Sequence, residues 1–331
     1  MKMNRESLHC YVEQHQDNIC GIVALRNGQV RYSDYWRGYG PRDTVHVMSV
    51  TKSVVSLLTG MALDQGLIRD VRQPVLDFFP EYQVKRGERT IQKVTLEHLL
   101  TMTAPYKYRS EPWTKVCSSN DWTRAALDLL GGRSGLTGEF KYATLGIHIL
   151  MGVLAAASGL PTAEFANRWL FAPLGVPAHR NYEAETAEEH KHFIMDKQPK
   201  GDIWFSDPQQ VNTAGFGLCL SAMDMAKLGQ LCLNGGLYDD RRIVSEAWLA
   251  ASTRPRYQCG EGFAHMRYGY LWWTPDADRE AYAALGNSGN VIYVDPARRN
   301  VVAVAASFKP SVLDRVRFIR EYIEPMLEAE E

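Results

Sequence analysis

Apolar and polar positions follow two rhythms along this chain. Between Ile19 and Trp36, two β-rich runs flank Asn27-Gly28. A type I′ turn needs positive φ at both central residues, which Asn-Gly supplies, so the segment predicts a hairpin. A second hairpin is predicted from Val291–Val294 and Val301–Val304 around the turn Asp295–Asn300. Helical spacing governs much of the rest. Val50, Val54, Leu57, Leu58 and Met61 recur on one face, and the flanking positions are small or apolar too, so this helix is expected to be buried. Thr95 caps LEHLL, the apolar run Leu145–Ser158 stops at Gly159, and Ser221-x-x-Asp224 opens a further helix. Ser311 with Asp314 forms a capping-box pattern ahead of Val316 and Ile319, with Val312 also on the apolar face, predicting a terminal helix to Glu328. The polar stretch Glu183–Gln210 is expected as a long loop, a flap over a cleft.

Hairpins at opposite ends predict one antiparallel sheet assembled from both termini, with helices inserted between them. The expected class is α+β, an α/β sandwich. One catalytic domain would span 1–331, its sheet part about 10–48 and 212–331 and its helical part about 49–211. A cleft between two such parts is a usual place for a site.

Composition narrows the ligand. The net charge is −1 and the pI about 6.8, which gives no electrostatic lever for nucleic acid or anionic membrane. A small molecule is the expected partner; oligomeric state is open. No apolar run follows the early Lys2, so no signal peptide is expected and the cytoplasm is the expected compartment. Six cysteines lack metal-like or C-x-x-C spacing and read as reduced thiols. Glu188, Glu189, His190 and His192 read as a solvated cluster rather than a metal site, and no cofactor is implied.

The chemistry concentrates at Met48-Ser49-Val50-Thr51-Lys52. Three residues apart on a helix, Ser49 and Lys52 share a face. A lysine in a dry helix loses hydration, which disfavours its charged form and makes it a base near neutral pH. Ser49 at the helix start would meet free N–H groups and the positive dipole end. The pattern S-x-x-K alone is better explained by an N-capping serine and a snorkelling lysine; the buried setting shifts the balance toward catalysis.

Further segments carry a resemblance. The helix is followed by DQGLIRDVRQPVLDFFPEY and VTLEHLLTMTAPY, then by Tyr142-Ala143-Thr144, by SGLPTAEFANRWLFAPLGVP, by AGFGLCLSAMDMAKLGQLCLNGG and by ALGNSGNVIYVDP. From about Val45 to Ser307 the chain resembles serine β-lactamases of the class C type and their penicillin-binding-protein and carboxylesterase relatives. The resemblance implies a β-lactamase/transpeptidase-like fold and a serine hydrolase acting on esters, amides or β-lactams. Ser49 would be the nucleophile, with Lys52 and Tyr142 as base and acid. It further implies that positive charge favours the Tyr142 phenolate, that Thr144, Asn287, Ser288 and Gly289 line the substrate, and that the backbone N–H groups of Ser49 and Asn290 hold the oxyanion. Asn287-Ser288-Gly289 stands where many relatives have Lys-Thr-Gly or His-x-Gly, so a positive charge for a substrate carboxylate is missing. Thr144 replaces an amide side chain. Both departures weaken the case for efficient β-lactam hydrolysis and leave ester or amide hydrolysis open. The alternative is a degenerate binding or sensor protein on the same fold.

Among the remaining residues, His46 and His98 are expected as structural histidines, and Trp272 and Trp273 as core. Trp113 and Trp204, with Tyr106 and Tyr108, are candidates for a cleft wall.

Overall fold

A computed structural model describes residues 4–276, 279–311 and 313–328. Asn27 and Gly28 take φ of 52° and 78°, and Arg26 pairs with Gln29 across them, so the two-residue turn forms as the dipeptide predicts. Eight strands build one antiparallel sheet. Their spatial order is Gln29–Tyr35, Ile19–Arg26, Asn300–Ala306, Asn290–Asp295, Tyr282–Gly286, Trp273–Thr274, Arg267–Tyr268 and Tyr257–Gln258. The first strand of the chain therefore pairs with the last, Ile22 opposite Val304 and Leu25 opposite Val301.

Side chains alternate across these strands and supply two cores. Ile22, Ala24, Val302 and Val304 face the helix Arg5–His15 and the C-terminal helical segment, meeting Leu8, Val12, Ile319 and Ile323. Val23, Leu25, Ala303 and Ala305 face the other way, toward the helices Ala222–Leu233 and Val50–Asp64. That second face continues into the helical part, where His148–Ser158 packs on Val50–Asp64. Every residue from Val50 to Ala62 is buried, which fits its nearly uniform apolar surface.

Two expectations change. Glu183–Gln210 is not one long loop: Ala187–Met195 is helical and Ile203–Phe205 pairs in parallel with Arg180–Tyr182. The helix starts at a capping box in which Thr186 accepts the Glu189 N–H while Glu189 accepts the Thr186 N–H. At the C-terminus Asp314, not Ser311, is the cap, accepting the Arg317 N–H at 3.0 Å. The helical segment runs from Arg315 to Glu328 with a π-turn at Ile319–Ile323. Val312, expected on its apolar face, lies outside the described residues.

Candidate active site

The nucleophile helix is launched by a sharp turn. The short strand Val45–His46 ends beside Cys219–Leu220, Met48 takes a left-handed φ of 52°, and Ser49 becomes the N-cap of Val50–Asp64. Left-handed backbone at a residue with a side chain is uncommon and collects at functional sites. The Ser49 side chain makes no cap bond, which leaves its hydroxyl to the cleft. Its backbone N–H has no hydrogen-bond acceptor among the described residues.

Lys52 is 1% exposed, and its Nζ lies 2.9 Å from Ser49 Oγ. The same nitrogen donates to the Gly215 carbonyl at 2.7 Å and sits 3.5 Å from Thr144 Oγ1. A neutral amine has two protons and one lone pair. With the protons aimed at Gly215 and Thr144, the lone pair is left for the serine hydroxyl. Burial pulls the Lys52 ammonium down from its ordinary 10.5 to about 7, and the Glu111 carboxylate pulls the other way.

The Tyr142 ring lies 4.8 Å from Lys52 Nζ and is held by Trp273 and Phe263, with ring centroids 5.8 and 5.5 Å away. Burial raises its phenol above the ordinary 10, and the neighbouring Ser49 hydroxyl offsets only part of that. The expected phenolate is therefore corrected: Tyr142 carries its proton near neutral pH, because desolvation outweighs any stabilising charge.

Gly215 and Gly286 make the site possible by their lack of a side chain. A Cβ on Gly215 would lie 2.6 Å from the Thr144 carbonyl oxygen and 2.5 Å from its methyl, so the carbonyl that receives Lys52 needs glycine there. A Cβ on Gly286 would lie 3.2 Å from the Ser49 nitrogen. The strand end that borders the nucleophile is thus Ala284-Leu285-Gly286, followed by exposed Asn287.

This moves the third motif. Ser288 is fully buried at φ 67°, and its hydroxyl donates to the Lys309 carbonyl while accepting the Lys309 N–H, both at 2.9 Å. Its carbonyl accepts from the Asn18 amide at 2.7 Å. A Cβ on Gly289 would meet the Arg315 guanidinium at 2.5 Å. The Asn290 amide is spent on Ala306, accepting its N–H at 2.9 Å and donating to its carbonyl at 3.1 Å. Ser288, Gly289 and the Asn290 side chain therefore brace the two chain ends instead of reaching the cleft. The polar letters resemble the motif, but the pairing of Gly286 with Asn290 ends the strand at Gly286 and puts all three letters in the turn. Of the third-motif residues, Asn287 alone stays exposed beside Ser49.

Glu111 had no sequence signal. Its Oε1 accepts the N–H groups of Thr144 and Leu145 at 2.6 and 2.7 Å. Trp113, 40% exposed, packs edge-on against Phe216 beside Gly215, so it walls this side of the site. Trp204 is core, its indole N–H bonded to the Thr213 carbonyl, and Trp272 and Trp273 are core as expected. His46 Nε2 accepts the Gly217 N–H at 2.8 Å, and His98 caps its own helix through Thr95, both structural roles. His190 stacks between Trp122 and Phe216, and Glu189 caps a helix. Among the described residues no group of three or more His, Cys, Asp or Glu is placed to hold a metal ion.

Comparison with known proteins shows the family of the chain. The Beta-lactamase family model matches residues 11–322. A 6-aminohexanoate-dimer hydrolase of Paenarthrobacter ureafaciens is 26% identical over 319 residues, covering 90% of this chain and 75% of that protein. Among solved structures, a D-stereospecific amidohydrolase from Streptomyces sp. aligns with a TM-score of 0.68 at 16% identity, covering 97% of this chain and 99% of the other. A class C β-lactamase from Rhodobacter sphaeroides aligns at 0.66 and 17% identity, covering 98% and 97%.

Proposed function

This chain belongs to the Beta-lactamase family and is a serine hydrolase, and we propose that it cleaves small linear carboxylic amides or esters through an acyl-enzyme on Ser49. The observation that carries the reading is a buried amine 2.9 Å from the serine hydroxyl, with its pKa brought to about 7. Such a group is half deprotonated at neutral pH and still basic enough to take a proton.

The proposed steps use the groups around Ser49. Lys52 takes the Ser49 proton as Oγ attacks the substrate carbonyl. Negative charge gathers on the carbonyl oxygen, and the N–H of Ser49 receives it together with the N–H of Asn287, which takes the place of the expected Asn290 because Asn290 is buried behind the turn while Asn287 stays exposed next to Gly286 at Ser49; preorganised donors of this kind contribute about 3 kcal/mol each. The Tyr142 ring face accommodates the transient Lys52 ammonium. The Tyr142 phenol gives its proton to the departing amine or alkoxide and is resupplied by Lys52. Water then attacks the ester on Ser49, passing a proton back, and the acid leaves.

Preference for amides and esters over β-lactams is supported by the neutral run Ala284–Asn287 beside Ser49, which offers no cation to a β-lactam carboxylate. The Paenarthrobacter relative, by name a hydrolase of the 6-aminohexanoate dimer and not of a β-lactam, supports the same reading. The small-molecule partner and the cytoplasmic setting remain part of this proposal; six free thiols support a reducing compartment.

The test is acylation. p-Nitrophenyl acetate is expected to give a burst and a mass adduct on Ser49, both lost in Ser49→Ala, with nitrocefin turned over more slowly than the ester. Turnover that survives in Ser49→Ala overturns the reading. An adduct that forms and never hydrolyses would make the protein a sensor.

A further inference from the structure

We propose that Glu111 is a positioning residue of the catalytic centre, tying the Tyr142-Ala143-Thr144 segment in place and bringing a negative charge to the side of the Ser49–Lys52 pair. This rests on the Ser49–Lys52 reading above.

The geometry is specific. Glu111 lies on a loop, not a helix, just ahead of the short helix Trp113–Cys117. One carboxylate oxygen receives two consecutive backbone N–H groups, from Thr144 and Leu145, at 2.6 and 2.7 Å. The Tyr108 hydroxyl approaches the same oxygen at 3.4 Å. These N–H groups belong to the turn between the catalytic tyrosine and the helix His148–Ser158, a place where the chain has no regular partner for them. Charged acceptors make hydrogen bonds roughly twice as strong as neutral ones. Thr144, so anchored, keeps its hydroxyl 3.5 Å from Lys52 Nζ, and Tyr142 is two residues away.

The same carboxylate acts through space. The groups that face Lys52 are the Ser49 and Thr144 hydroxyls, the Gly215 carbonyl and the Tyr142 ring, none of them charged. Glu111 is the charge that bears on the amine, raising its proton affinity against the effect of burial. Burial is the main reason that Tyr106, Tyr108, Cys117 and Tyr142 keep their protons, and the Glu111 carboxylate adds to it. Lys141 is engaged elsewhere, donating to the Tyr108 carbonyl and resting on the Tyr108 ring. A desolvated lysine without Glu111 would be a weaker base toward the serine hydroxyl. With it, the amine titrates near neutrality.

The experiment separates the two roles. Glu111→Gln keeps an oxygen that accepts both N–H groups and removes the charge; Glu111→Ala removes both. Phosphonate labelling of Ser49 is followed from pH 5 to 9, with circular dichroism confirming the fold of each variant. The acidic limb of the labelling rate is expected to move down by about one pH unit in both variants, the size that a nearby opposite charge imposes. The plateau should fall about tenfold in Glu111→Gln, as the base weakens, and further in Glu111→Ala. Glu111→Asp, a charge-retaining variant, is expected to leave the limb near its wild-type position. An unmoved limb in a folded Glu111→Gln overturns the proposal, as does equal labelling in all variants. If Lys52→Ala labels as fast as wild type, the Ser49–Lys52 reading itself fails, and that outcome is distinct from the failure of Glu111.

Discussion

Lys52→Met is expected to abolish activity and to make the protein more stable. In the folded state burial brings the amine from 10.5 to about 7. In the unfolded chain it keeps its ordinary affinity. Between pH 7 and 10.5 the unfolded state therefore binds more protons, so this group disfavours folding most at low pH, and its cost fades as pH rises through that window. Each pH unit of difference corresponds to about 1.4 kcal/mol, so keeping an amine here costs about 4 kcal/mol at pH 7. Methionine removes that cost and fills nearly the same space. It also forfeits the bonds to Ser49 and Gly215, about 1 kcal/mol each, and leaves the Gly215 carbonyl unpaired. With the unpaired carbonyl costing about 1 kcal/mol more, a net gain of about 1 kcal/mol at pH 7 remains. Urea unfolding of wild type and Lys52→Met, side by side at pH 6, 7, 8 and 9, measures it. The gap should be widest at pH 6 and shrink steadily toward pH 9. A variant that is less stable than wild type at pH 6, or a gap that does not depend on pH, refutes the claim that a desolvated amine sits beside Ser49.

Three further substitutions test separate parts of the site. Tyr142→Phe should lower kcat by about 10²–10⁴ without moving the acidic limb set by Lys52, as measured in pH–rate profiles with a nitrophenyl ester; a shifted limb would mean that the phenol is the base. Gly215→Ala should displace the carbonyl that receives Lys52 and cut acylation at least tenfold while far-ultraviolet circular dichroism stays unchanged; full activity would show that Thr144 yields easily. Asn18→Ala removes the amide that bonds to the Ser288 and Ser307 carbonyls, and should cost about 2–3 kcal/mol in chemical denaturation, with KM for small esters little changed in the folded enzyme. A large KM change would return Ser288 to the substrate cleft.

Much of this architecture is written locally. The Asn27-Gly28 turn, the alternation through Ile22–Leu25 and the dry face of Val50–Ala62 each need only neighbours in sequence, and each forms as the pattern implies. The pairing of Ser49 with Lys52 is equally local, one helical turn. The third motif is different. Asn287-Ser288-Gly289 offered polar letters, but which residue faces Ser49 depends on strand register, and register places side-chain-free Gly286 there. The polar stretch after Glu183 concealed a helix whose Thr186–Glu189 cap is a readable signal outweighed by composition. Glu111 could not be read at all. Its partners lie 33 and 34 residues away, and a lone glutamate before a proline looks like any surface charge.

The pairing of Ile19–Arg26 with Asn300–Ala306 has a consequence for biosynthesis. Ribosomes add about 5–20 residues per second, so the first strand waits on the order of tens of seconds for its neighbour to emerge. Until then its inner edge exposes unpaired backbone, the kind of template that recruits other chains. A nascent or prematurely terminated polypeptide is thus the species most open to aggregation and to chaperone capture. Cutting the chain before residue 300 should leave aggregates rather than a shortened enzyme.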